Sequence, residues 1–129
     1  MRMIFINLPV KNLKRSMDFF SALGFSNNPE FTDETAAAMV IEENIILMLL
    51  TEPKFRDFIT TEIADAHRTT EVLNCISAGT REEVDAMIAT AIAAGGKPWQ
   101  PTSAEGPMYG GSFQDPDGHV WEVLHMTRG

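Results

Sequence analysis

The sequence predicts an α+β fold made of two similar halves, and three observations lead there. A β-α-β-β-β order of patterned segments occurs twice, each helical segment closes on glycine, and 129 residues suit one compact domain. The runner-up, a ferredoxin-like sandwich, also uses two βα units but needs fewer strands than this chain carries. With 44% hydrophobic and 22% charged residues the composition is that of a chain with a core, which sets disorder aside.

The first half occupies about residues 1–52. Met3 to Val10 is rich in β-branched and aromatic residues, with Pro9 marking a strand end or edge. Leu13 to Leu23 spaces Leu13, Met17, Phe20 and Leu23 as one helical stripe, and Gly24 stops it. Three short strands follow: Phe25 to Phe31, Ala36 to Ile41 and Asn44 to Thr51, parted by turn-forming residues. A connection over about 53–69, with room for a short helix, leads to the second half at about 70–129. There Glu71 to Ser77 reads as a strand, and Thr80-Arg81-Glu82-Glu83 has the form of a capping box. Val84, Met87, Ile88, Ile92 and Ala93 form the apolar stripe of the second helix, ended by Gly95-Gly96. A loop rich in proline and glycine precedes the last two strands, Gly110 to Gln114 and His119 to Met126, which flank the strong turn signal Asp115-Pro116-Asp117-Gly118.

A net charge of −8 argues against nucleic acid or an anionic membrane as partner, since both would repel the chain, and it permits a cationic ligand. The single cysteine, Cys75, excludes an internal disulfide and suits a reducing compartment; it is expected to be buried. The first residues lack the pattern of a signal peptide, and no apolar run approaches the length that spans a bilayer, so a cytoplasmic location is expected.

Several stretches together resemble the vicinal oxygen chelate superfamily of glyoxalase I, bleomycin-resistance proteins, fosfomycin-resistance enzymes and extradiol dioxygenases, in particular its predicted-glyoxalase-like branch. They are Leu8-Pro9-Val10-Lys11-Asn12-Leu13 running into Ser16-Met17-Asp18-Phe19-Phe20 and Leu23-Gly24-Phe25, then Ala93-Ala94-Gly95-Gly96, and Phe113-Gln114-Asp115-Pro116-Asp117-Gly118-His119 before Trp121-Glu122. The resemblance covers the whole chain. It implies two βαβββ modules forming an open, curved half-barrel sheet around a cleft, and a homodimer.

The resemblance also implies a metal held by four strand residues, one on the first strand and one on a later strand of each module. The positions that correspond are Phe5, Met48, Val72 and Glu122. Only Glu122 carries a donor suited to a divalent cation. Strand alternation adds Asn7 beside Phe5 and Asn74 beside Val72, but neutral amide oxygens make a poor transition-metal site. No metal or other cofactor is therefore expected, with one divalent ion as the alternative.

What remains is a largely apolar pocket. Phe5, Asn7, Met48, Leu50, Val72, Asn74 and Glu122 are expected to line it, with Ile76 and Leu124, while Trp99 and Tyr109 on the loop from Lys97 to Gly111 are expected to cover it. Their alternative role is to cover a sheet edge or a dimer contact. An enclosed Glu122 would hold its proton more tightly and act as a general acid or base, anchor a ligand amine, or be satisfied by a neighbouring donor. Three functions follow: a metal-independent protein that binds a small organic molecule, a metal-dependent glyoxalase-like lyase, isomerase or dioxygenase, and a metal-free enzyme that moves a proton through Glu122.

Overall fold

The computed structural model describes residues 1–127. They fall into two compact units, Met1–Asp65 and the chain from Ala66 onward. Each unit contains one mixed sheet, and the strand order of the first is repeated in the second.

In the first unit β1 (Ile4–Val10) leads to α1 (Leu13–Ala22), then β2 (Ser26–Asn28), a single 3-10 turn over Pro29–Phe31, β3 (Ala36–Glu42), β4 (Ile45–Thr51) and the short α2 (Glu52–Arg56). The sheet order is β1-β4-β3-β2, with β1 and β4 parallel and the other pairs antiparallel. The parallel pair requires a long crossover, and α1 with the two strands after it supplies that. Asn12 caps α1, its side-chain oxygen accepting from the Arg15 N–H at 3.0 Å. Gly24 adopts φ +97°, a left-handed value at which Leu or Ala would be strained, and so turns the chain off the helix. The buried face of α1 is centred on Ser16, Phe19 and Phe20. The expected stripe through Met17 and Leu23 is rotated toward Phe19, because Phe19 and Phe20 meet edge to face at 5.0 Å and Phe25 stacks on Phe20 at 5.9 Å. The expected strand over Phe25 to Phe31 is cut short because Pro29 opens the 3-10 turn, which Asn28 caps through the Glu30 N–H.

The second unit runs β5 (Leu73–Ser77), α3 (Arg81–Ala93), β6 (Lys97–Pro98), β7 (Ser103–Glu105), β8 (Met108–Gln114) and β9 (Val120–Met126). Its sheet order is β5-β9-β8-β6, with β7 also pairing β8. The capping box forms as expected: Thr80 Oγ1 accepts from the Glu83 N–H at 3.1 Å, and the Glu83 carboxylate reaches back to the Gly79 N–H at 2.7 Å. The apolar stripe of α3 differs from expectation at its end. Ala91 is fully buried whereas Ile92 is 41% exposed and Ala93 is exposed, since the small side chain lets the helix lie close on the sheet. The loop expected before β8 holds two short strands instead, and β8 starts at Met108.

Each sheet has one face against its helix and one face away from it. In β4, Leu47 and Leu49 are fully buried on the α1 side, so Ile46, Met48 and Leu50 point the other way. In β9, Trp121 and Val123 are fully buried on the α3 side, so Glu122 and Leu124 point the other way. Tertiary contacts of α1 with β3 and β4, and of α3 with β8 and β9, agree with this division.

The β8–β9 turn is held by a buried carboxylate. Asp115 Oδ1 accepts from the Asp117 and His119 N–H groups, each at 3.0 Å, and Oδ2 accepts from the Trp121 indole at 3.2 Å. Burial raises the Asp115 pKa, opposed by His119 and by the three donors. In the same turn Gly118 takes φ +91°, and a Cβ there would stand 2.8 Å from the His67 backbone nitrogen and 2.9 Å from the Ala66 carbonyl carbon. Two changes follow. Because donors converge on both oxygens, a carboxamide must turn its NH2 toward one of them, so Asp115→Asn is expected to lower stability by about 1–3 kcal/mol. Gly118→Ala combines a strained φ with a backbone collision and is expected to cost at least about 2 kcal/mol. Urea midpoints of the two variants against the parent measure both, and unchanged midpoints would show that the turn contributes nothing.

Candidate functional site

Two cavities lie on the faces turned away from the helices, one in each unit. The first has a volume of about 510 Å³ and is lined by Met3, Phe5, Ile46 and Met48, with Val40, Ala38 and Phe31 completing the apolar wall and Asn7 and Asn28 as its polar points. The register explains the grouping: Asn7 pairs with Met48 and Phe5 with Ile46, while β3 sets Ala38 beside Met48 and Val40 beside Ile46. No charged residue lines this cavity. Asn7 donates weakly from Nδ2 to the Phe5 carbonyl at 3.3 Å, and Asn28 uses its side-chain oxygen on the Glu30 N–H at 3.1 Å. Asn7 Oδ1 and Asn28 Nδ2 thus offer one acceptor and one donor to a neutral ligand.

Of the residues expected from the sequence in this unit, Phe5, Asn7 and Met48 come together. Leu50 shares their face but is 4% exposed, packed beside Pro9 and outside the cavity wall. Ala38, Val40, Asn28 and Phe31 were not anticipated. The alternation of β3 could have revealed the first two once its pairing with β4 was known, but the other two depend on the 3-10 turn.

The second cavity, of about 240 Å³, is lined by Glu122, Cys75, Ser112, Glu105, Met108 and Leu124, with Gly110 and Gly111 and residues 100, 101, 103 and 123. Its centre is a row across three strands, Cys75 on β5, Glu122 on β9 and Ser112 on β8, each directly opposite the next. Ser112 is buried and fixed to the neighbouring backbone, accepting from the Gln100 N–H at 2.9 Å and donating to its carbonyl at 3.3 Å. Glu122 is half-buried, and among the described residues its carboxylate has no hydrogen bond or ion pair. A neighbouring Asn, Tyr or Trp is the donor expected to satisfy it, but the Trp121 indole donates to Asp115, the Tyr109 hydroxyl donates to Asp85 at 2.6 Å, and Asn74 is paired with Trp121 on the other face.

The register corrects several expectations in this unit. Val72 precedes β5 and is 55% exposed, and Asn74 pairs with Trp121 on the helix side, as Ile76 does with Val123. The residues that share the side of Glu122 are Leu73, Cys75 and Ser77, so the alternation inferred for this strand is out by one residue. Such a slip moves every side chain to the opposite face. Tyr109 pairs with His125 on the α3 side, where the Arg81 guanidinium lies 4.9 Å from its ring centroid. Trp99 lies between β6 and β7, 40% exposed and outside the cavity wall. Cys75, expected to be buried, is exposed. Its thiol is raised above the ordinary value by desolvation first and by the Glu122 charge second.

These residues do not suit the divalent metal that the resemblance implies. Phe5, Asn7 and Met48 offer the first unit no charged or imidazole donor, and the second offers two carboxylates, Glu122 and Glu105, and a thiol that holds its proton. Among the described residues no three His, Cys, Asp or Glu side chains gather closely enough to hold a metal ion.

The sequence profile of the glyoxalase/bleomycin resistance protein/dioxygenase superfamily matches residues 2–123, and the chain belongs to that superfamily. Among solved structures it is similar to hypothetical protein SA1046 from S. aureus, at 26% identity over 97% of this chain and 94% of that one, with a TM-score of 0.83. A glyoxalase-related enzyme from Fulvimarina pelagi matches at 20% identity over 97% and 88% of the two chains, with a TM-score of 0.82. The fosfomycin resistance protein FosX from Listeria monocytogenes matches at 17% identity over 98% and 94%, with a TM-score of 0.72. The last two likenesses show the fold alone. No curated protein matches by sequence. No helix among the described residues is long and apolar enough to cross a membrane.

The contact between Cys75 and Glu122 has a measurable result. Cys75 is expected to react with iodoacetamide near neutral pH more slowly than free cysteine, because a raised pKa leaves less thiolate. Glu122→Gln removes the smaller of the two raising causes and is expected to speed the reaction. Equal rates in parent and variant would show that the two side chains do not interact.

Proposed function

We propose that this chain is a small-molecule-binding member of its superfamily that works without a divalent metal ion, taking up a largely apolar ligand. The observation that carries the reading is the cavity of the first unit, where positions that the resemblance gives to metal ligands hold Phe5 and Met48. A wall of aromatic rings and thioethers with two amides at its edge suits a neutral, partly hydrophobic molecule. Membership of a superfamily that acts on small molecules supports it. The reading also includes a second copy of the chain as partner and a cytoplasmic location. Exposed Ile4 on β1 and exposed Leu73 on β5, each strand at the edge of its sheet, support the partner copy.

Two measurements test this. Protein incubated with nickel, cobalt, zinc, manganese or iron(II) and freed of loose metal is expected to hold far less than one equivalent. Stoichiometric metal that is lost in Glu122→Gln would overturn the metal-free reading. The neutral dye Nile red is expected to bind with blue-shifted emission, and Met48→Glu, which places a carboxylate in the apolar wall, to weaken that binding by about ten-fold or more. Dye binding that Met48→Glu leaves unchanged would show that the cavity is not the binding site.

A further inference from the structure

We propose that the second unit carries a recognition site for an organic cation, an ammonium or amidinium group on a small apolar body, with Glu122 as its counter-ion. The cavity is lined by residues of that unit.

Four observations carry it. Glu122 is withdrawn halfway from water in a concave site, yet among the described residues no hydrogen bond or ion pair meets its carboxylate. A partly desolvated carboxylate is favoured by a cation that brings its own donors. The cavity wall includes a second carboxylate, Glu105, and no lysine, arginine or histidine, so nothing within it competes for that role. The other polar groups carry no charge: Ser112 is bound to the Gln100 backbone at both ends, the Cys75 thiol stays protonated beside Glu122, and Gln100 and Ser103 are neutral. An anion would therefore meet two negative charges and no positive one. Finally, Gly110 faces the same side as Glu122 and Leu124, and its missing side chain leaves the surface of Leu124 uncovered. A Cβ there would come within 3.3 Å of Leu124 Cδ1. Met108 and Leu124 supply the apolar surface for the body of the ligand, and the chain's net charge of −8 favours the approach of cations.

The test uses benzylamine, protonated at neutral pH, against benzyl alcohol, which has nearly the same shape without the charge. Amide NMR spectra of the full-length protein, isotope-labelled, are recorded during each titration. The expected result is saturable shifts at Cys75, Ser112 and Glu122 with the amine, much weaker ones with the alcohol, and loss of amine affinity on raising salt. Glu122→Gln is expected to weaken the amine by about ten-fold or more, the size of a charge-assisted hydrogen bond, and Glu122→Asp to retain part of the affinity. Equal binding of amine and alcohol, equal affinity in Glu122→Gln, or no saturable shift with the amine would each overturn the proposal. So would calcium chloride saturating the same resonances where the amine does not, since the carboxylates would then serve a metal cation. The comparison of amine with alcohol needs no variant and decides the question even if the substituted proteins fold poorly.

Discussion

The second unit depends on one buried carboxylate. Asp115 ties together three donors from the turn and from the first residues of β9, and so fixes where β9 begins. With that start fixed, Trp121 goes to the helix side and Glu122 to the cavity side, because neighbouring strand residues face opposite ways. The pairing of β8 with β9 then sets Ser112 beside Glu122, and the pairing of β5 with β9 sets Cys75 on its other flank. A turn that closed one residue later would place the indole in the cavity and the carboxylate under α3.

The two units solve one packing problem twice and arrive at different chemistry. In both, a capped helix covers one face of a mixed sheet whose first strand pairs in parallel with its last. On the opposite face the centre of the first sheet reads Asn7, Met48 and Ala38, and that of the second reads Cys75, Glu122 and Ser112. The first row is amide, thioether and methyl; the second is thiol, carboxylate and hydroxyl. The scaffold tolerates either, since these side chains contribute little to the helix-facing core.

Much of the architecture was legible in the sequence because it rests on local signals. Asn12, Gly24, Thr80 with Glu83, and the Asp115 to Gly118 turn each act over a few residues, and each does in the structure what its residue type implies. The cavity of the first unit was partly legible for a related reason: in β1 and β4 the resemblance pointed to Phe5 and Met48, and alternation added Asn7. The second cavity was less so. Over Glu71 to Ser77 apolar residues stand at both parities, Val72 and Ile76 on one and Leu73 on the other, so hydrophobic alternation does not decide the face. The choice is made by pairing with β9, far away in sequence, which a local pattern cannot report. Tyr109 escaped for a similar reason, since its place is set by Asp85 and Arg81 on α3 rather than by its glycine-rich neighbours.

The parallel pairing of first and last strands also bears on how the chain acquires its structure during synthesis. In neither unit can the first strand find its partner until the whole crossover has been made, so β1 waits for β4 and β5 waits for β9. Yet all four strands of the first sheet come from the first unit, and the last of them emerges before the first strand of the second unit. The ribosome therefore releases the strands of the two sheets in succession, each sheet gaining its closing strand from its own half of the chain.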